Sequence, residues 1–191
     1  LEWLIPQLPP RPTHLIGWSL GAMLALQLAH RLPTQIERLT LYAATPSFCC
    51  RSGWRHGITQ NRLQEIANSV RGESLKQGLA RFTRLMLHGE IKERSLLRQL
   101  SAHYLSTTHL PTANGLEAGI TLLRTLDLRP LLTTITQPTT LIHGSSDAII
   151  PIAAGQWLAK QLPQAESEWL DGYGHMPWKK QKMMPLLSTR Q

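Results

Sequence analysis

Cysteine is almost missing from this 191-residue sequence: there are two, side by side at Cys49 and Cys50. Chain neighbours cannot build a disulfide framework, so a reducing compartment and a cytoplasmic location are expected. Without a spaced set of Cys and His there is no zinc site to propose, and no metal or cofactor is expected. No apolar run reaches the length of a membrane span, so no membrane association is expected. The opening Leu1-Glu2-Trp3-Leu4-Ile5-Pro6 has neither an initiator Met nor a basic n-region. It reads as the middle of something rather than as a signal peptide. Acidic side chains are also scarce, 12 against 20 Lys and Arg, for a net charge of +8. That balance indicates acidic partners. No nucleic-acid recognition motif or aromatic-interleaved basic stripe accompanies it, so nucleic acid is not the expected one.

What is present is organised around Gly17-Trp18-Ser19-Leu20-Gly21. Thr13-His14-Leu15-Ile16 before it reads as a buried strand. Ala22 to Ala29 after it is apolar on nearly every side and rich in helix formers, so it reads as a buried helix, ended by Pro33. Two glycines allow a sharp turn between them and leave the Ser19 hydroxyl exposed at the strand's end. The Leu20 N–H, at the helix N-terminus, is then placed to donate to an oxyanion. Ile36 to Ala43 is a second strand, and strand, helix and strand of these lengths form a βαβ unit with parallel neighbours.

From residue 45 to residue 129 the grammar changes to helix-forming, polar and arginine-rich sequence with no convincing strand. Leu63, Ile66, Ala67 and Val70 follow helical spacing, as do Leu75, Leu79, Phe82, Leu85 and Met86. Leu96, Leu97, Leu100 and Tyr104 form a third stripe, and Leu116, Ile120, Leu123 and Leu126 a fourth. The expected organisation is a partial α/β core from residues 1–44 and 130–191, with 45–129 inserted as a helical cap. The cap is clearly basic, with 12 Lys and Arg against 6 acidic residues. After Pro138 a strand, Thr139 to Gly144, precedes Asp147, and Pro151 opens a helix through about Leu162. Glu166 to Leu170 is a short strand leading to Gly172-Tyr173-Gly174-His175.

A serine hydroxyl needs a base in hydrogen-bond reach, itself oriented by a carboxylate. Open parallel sheets bind ligands beyond the carboxyl ends of their strands, so residues just after strands are the first candidates. Asp147 and His175 both qualify. Asp127 lies on a cap stripe, and Asp171 is too close to His175 along the chain. His143 ends a strand but precedes the acid. His14 lies within the first strand, and His30, His56, His88, His103 and His109 read most simply as solvent-exposed. The set Ser19, Asp147 and His175 therefore carries the expected chemistry.

Gly17-Trp18-Ser19-Leu20-Gly21, Gly144-Ser145-Ser146-Asp147-Ala148-Ile149-Ile150-Pro151 and Gly174-His175-Met176-Pro177-Trp178 resemble the elbow, acid loop and histidine loop of the α/β-hydrolase superfamily. Trp18, Gly115-Leu116-Glu117 and Leu126-Asp127-Leu128-Arg129 make the chain similar to the pimeloyl-[acyl-carrier protein] methyl ester esterase family of biotin synthesis. The similarity covers residues 13–178. It implies a monomeric serine carboxylesterase acting through a Ser-His-Asp triad and an acyl-enzyme. Trp18, Phe82, Leu85, Met86 and Ile149 would line an acyl channel. Arg81, Arg94 and Arg98 would face an acidic acyl-carrier protein that bears the pimeloyl ester.

The sequence departs from that family at both ends. The family places strands and a His-Gly loop ahead of the elbow, where the loop supplies a second oxyanion donor. Here His56-Gly57, His88-Gly89 and His143-Gly144 all follow the serine. Lys179 to Pro185 stands in place of an amphipathic closing helix, which Pro185 would interrupt. An exposed apolar edge at the elbow strand is expected, and one lost oxyanion donor costs about 10²–10³ in rate. The chain alone is thus expected to be poorly soluble and nearly inactive. The alternatives are a hydrolase for another small ester, a lipid or a C–C bond, and a non-catalytic remnant that binds an acidic carrier protein.

Overall fold

The computed structural model describes residues 1–71, 75–88, 98 and 111–177. Four parallel strands form one sheet in the order β1 (Thr13–Trp18), β2 (Ile36–Tyr42), β3 (Thr139–Gly144) and β4 (Ala165–Leu170). Parallel pairing brings all four carboxyl ends to one side of the sheet, as the βαβ reading requires. β1 is an edge, and Ile16 on it is 45% exposed. The opposite edge, β4, shows solvent a row that includes Glu166 and Glu168, charges that discourage edge-to-edge pairing.

Two helices cover the sheet. α1 (Leu20–Arg31) packs against β1 and β2, and α5 (Ile152–Gln161) against β3 and β4. Met23, Leu26 and Ala29 of α1, Leu39 and Leu41 of β2, Leu141 of β3 and Leu158 of α5 form one buried cluster. A 3-10 helix, Arg129–Thr134, contacts both α1 and α5 and adds Leu132 to it. Burying such aliphatic side chains contributes about 1.5–3 kcal/mol each, which is what holds the strand ends in place.

Between β2 and β3 lie α2 (Gln60–Arg71), α3 (Leu75–Met86) and α4 (Ala113–Thr125). α2 buries Leu63, Ala67 and Val70, while Ile66 is only half-buried. On α3 the most buried positions are Gly78, Thr83 and Met86, with Phe82 and Leu85 half-buried beside the core. The apolar spacing does not announce Gly78. It is there because a Cβ would collide with the Val70 backbone, so the two helices cross at contact distance. Ahead of α2 the chain is not wholly helical: single bridges join Cys49 to Ile58 and Arg51 to Trp54. The stripe Leu96, Leu97, Leu100 and Tyr104 lies outside the described residues. So do Arg94, His103, His109, Trp178 and residues 179–185.

Candidate active site

Ser19 sits between β1 and α1 with φ 55° and ψ −120°, a left-handed conformation that few non-glycine residues adopt. Its N–H still donates to the Tyr42 carbonyl at 3.0 Å, so strand pairing continues up to the turn and holds the strained residue. The two glycines are not equivalent. A Cβ on Gly17 would lie 2.6 Å from the Ala22 Cα, whereas one on Gly21 would meet nothing within 4 Å. Gly17 is thus required by close packing of strand on helix, and the unusual backbone belongs to the serine rather than to either glycine. Leu20 is the first residue of α1, where the helix itself offers its N–H no acceptor.

His175 reaches Ser19 from the loop after β4. Its Nε2 lies 3.0 Å from Ser19 Oγ, and its Nδ1 lies 2.8 Å from Asp147 Oδ2. A carboxylate oxygen accepts only, so Nδ1 carries the hydrogen and Nε2 is left to accept from the serine hydroxyl. The backbone of His175 is clamped on both sides. Its N–H donates to the Met86 carbonyl at 3.1 Å, and its carbonyl accepts from Trp18 Nε1 at 2.8 Å. The Trp18 and His175 rings stand 5.5 Å apart, tilted by 47°. Trp18, expected against an acyl chain, here holds the His175 backbone and ring.

Asp147 accepts three hydrogen bonds and has a fourth N–H close by. Oδ1 accepts from the N–H groups of Ile149 and Ile150 at 2.8 and 2.9 Å. Oδ2 accepts from His175 and lies 3.2 Å from Nε2 of His143. Burial by itself would raise this carboxyl, but the hydrogen bonds from His143 and His175 outweigh it and keep the group ionised, well below the usual carboxylate range. His143 is the residue that reading by chain order missed. The signal was there: a histidine at the last turn of a strand, four residues before an acid, is within reach of it once the chain reverses. Asp171, dismissed for its proximity to His175, instead accepts from Ser145 Oγ at 3.0 Å and so ties the acid loop to the histidine loop.

Other expected residues are placed as follows. Met86 and Ile149 are buried in the core cluster, while Phe82 and Leu85 are half-buried at its margin. Arg81 is exposed and donates to the Ser69 carbonyl at 3.0 Å, and Arg98 is exposed. Several cap arginines are structural rather than solvated. Arg51 donates to Ser47 Oγ at 2.9 Å and to the Arg124 carbonyl at 2.6 Å, and Arg129 grips both oxygens of Asp127 at 2.8 and 2.7 Å. His30 and His56 are half-buried, not exposed as expected: His30 bonds Thr134 Oγ1, and His56 packs edge-on against Trp54. A cavity of about 450 Å³ between α2 and α4 is lined by Val70, Leu75 and Leu116 and not by Ser19, Asp147 or His175. Among the described residues no group of three or more His, Cys, Asp or Glu could hold a metal, and no helix is long and apolar enough to cross a membrane.

A parallel sheet with a strained serine at one strand end, and a histidine and an aspartate at two others, is an arrangement suited to acyl transfer. Residues 1–178 match the family model described as alpha/beta hydrolase fold. The chain is 34% identical over 180 residues to the pimeloyl-[acyl-carrier protein] methyl ester esterase of Aromatoleum aromaticum, covering 92% of this chain and 71% of that protein. It is 34% identical over 177 residues to the protein of the same name from Nitrosomonas europaea, covering 93% and 69%. The chain belongs to the α/β hydrolase fold family and, within it, to the carboxylic ester hydrolases that carry this name. An esterase from Exiguobacterium antarcticum superposes with a TM-score of 0.77 at 22% identity, over 91% of this chain and 63% of that one. A bromoperoxidase from Bacillus anthracis gives 0.76 at 20% identity, over 91% and 64%. These two likenesses concern the fold alone. The chain thus spans less than two thirds of those two structures.

Proposed function

We propose that this chain carries the nucleophile, base and acid of a serine carboxylesterase that hydrolyses the methyl ester of a pimeloyl chain borne by acyl-carrier protein. The observation that carries the reading is the unbroken hydrogen-bonded line from Ser19 Oγ through His175 to Asp147, at 3.0 and 2.8 Å. The shared name of the curated relatives supplies the substrate.

In this reading Ser19 Oγ attacks the ester carbonyl carbon as His175 Nε2 takes its proton. Asp147 stabilises the imidazolium so formed, and the Leu20 N–H donates to the tetrahedral oxyanion. Collapse expels methoxide, which leaves as methanol with the proton from His175. Water then attacks the acyl-Ser19 ester with His175 again as base, releasing the free carboxyl and restoring the serine. Trp18, Phe82, Leu85, Met86 and Ile149 form the acyl surface, of which Trp18, Phe82 and Leu85 are half-buried and Met86 and Ile149 buried. Arg81, Arg94 and Arg98 attract the acidic carrier, an attraction that weakens with salt. Turnover of pimeloyl-acyl-carrier-protein methyl ester, abolished by Ser19→Ala and reduced in KM terms by Arg98→Glu or by added salt, tests the whole proposal. Free methyl pimelate cleaved as readily as the carrier-bound ester would remove the carrier from it.

A further inference from the structure

His143 is buried at the end of β3, 1% exposed, on the same face as Leu141. An aliphatic side chain would continue that face at no polar cost, so an imidazole here needs partners for its nitrogens. Its Nε2 lies 2.9 Å from the Ile150 carbonyl and 3.2 Å from Asp147 Oδ2. Both are acceptors, so Nε2 carries the hydrogen and shares it between them. Gly155 of α5 presses on the other side of the ring: a Cβ there would lie 2.6 Å from Nδ1. The ring is therefore wedged between helix and acid loop with one edge aimed at the carboxylate that His175 uses.

We propose that His143 is a positioning residue for the acid: its Nε2–H fixes Asp147 Oδ2 in line with His175 Nδ1 and limits how strongly that oxygen supports a protonated His175. The inference deepens the esterase reading and, as a statement about catalysis, rests on it. The sign follows from competition. Oδ2 is shared by two N–H donors; with His143 removed, it accepts from His175 alone and becomes the stronger acceptor. A stronger acceptor favours imidazolium, so the protonation midpoint of His175 moves up. Among the described residues, the titratable groups acting on Asp147 are His143 from β3 and His175 from the loop after β4. α5 presents Gly155 to the pair, and the end of α3 presents the Met86 carbonyl, neither of them charged.

The test is a proton NMR titration of the His175 ring in the full chain, assigned by the resonance lost in His175→Gln. In His143→Leu the midpoint rises by about half a pH unit to one unit. In His143→Gln, whose amide keeps a donor near the same place, it returns toward the parent value. Gly155→Ala puts a methyl against Nδ1, on the side of the ring away from the carboxylate, and so presses Nε2–H toward Oδ2 and lowers the midpoint; it carries the test if His143→Leu fails to fold. A His175 midpoint unmoved in every folded variant, or lowered in His143→Leu, overturns the inference, because a merely space-filling ring would change stability alone. Methyl-ester turnover on the same samples separates this from the parent reading. A shifted midpoint in a chain without turnover keeps the positioning role and removes the esterase; turnover with an unshifted midpoint does the reverse.

Discussion

Along β1 to β4, Ser19, Asp147 and His175 each lie within five positions of a strand's carboxyl end, while in α2, α3 and α4 the decisive contacts fall where no local pattern announces them. Parallel pairing fixes the register of β1 on β2 and of β3 on β4, so a position just beyond a strand has a defined place in space. Helices carry no such register. α2 and α3 are located by a missing Cβ at Gly78, and the loop before them by the Arg51 guanidinium on the Arg124 carbonyl. The regions meet at His175, whose N–H is held by Met86 at the end of α3. In the proposed reading the sheet supplies the chemistry, and the helices between β2 and β3 help to aim it.

The sharpest way to break this contrast is to remove chemistry without structure. Ser19→Ala should lower turnover by about 10⁶ and Asp147→Asn by about 10⁴, both with unchanged circular dichroism. If instead the cap dominates, Met86 and α3 variants would cost more than these. Next in size are the elbow glycines. Gly17→Ala should destabilise the chain by about 1–3 kcal/mol in urea unfolding, because strand and helix must separate to admit the methyl. Gly21→Ala should be neutral or stabilising by up to about 1 kcal/mol, since Ala is the better helix residue and the space is open.

Those two glycines also mark where reading the sequence succeeded and where it stopped. Strand, turn and helix around Ser19 were legible because apolar periodicity and glycine placement are local. The meeting of Asp147 and His175 with Ser19 was legible because residues just beyond the carboxyl ends of parallel strands converge. His143 was not, since chain order ranks candidates by sequence while a hydrogen bond depends on how the acid loop folds back. The equal weight given to Gly17 and Gly21 fails for the same reason: which glycine is crowded depends on how closely β1 and α1 approach. Arg51 and Arg129 count in the sequence only as basic residues, because a guanidinium's partners, here Ser47, backbone carbonyls and Asp127, leave no spacing signature.

Acid comes next. The folded Asp147 carboxyl binds its proton at lower pH than the unfolded one, whose usual value is near 3.8. Its stabilising contribution is therefore complete above that value and is lost as pH falls through the folded value. Urea midpoints followed downward from neutral pH should drop in the parent chain more steeply than in Asp147→Asn. The smallest effect belongs to the cap surface. Arg71 and Glu117 pair across α2 and α4 at 2.5 Å with both side chains partly exposed. Arg71→Ala should cost no more than about 1 kcal/mol and less in high salt.

The most direct measurement is labelling by a fluorophosphonate, with the modified residue located by mass spectrometry. Covalent labelling confined to Ser19 in the parent chain, and slowed by orders of magnitude in folded His175→Gln, is the predicted result. Labelling at another residue, or at Ser19 with equal speed when His175 is replaced, would contradict the claim that these strand ends assemble one nucleophile.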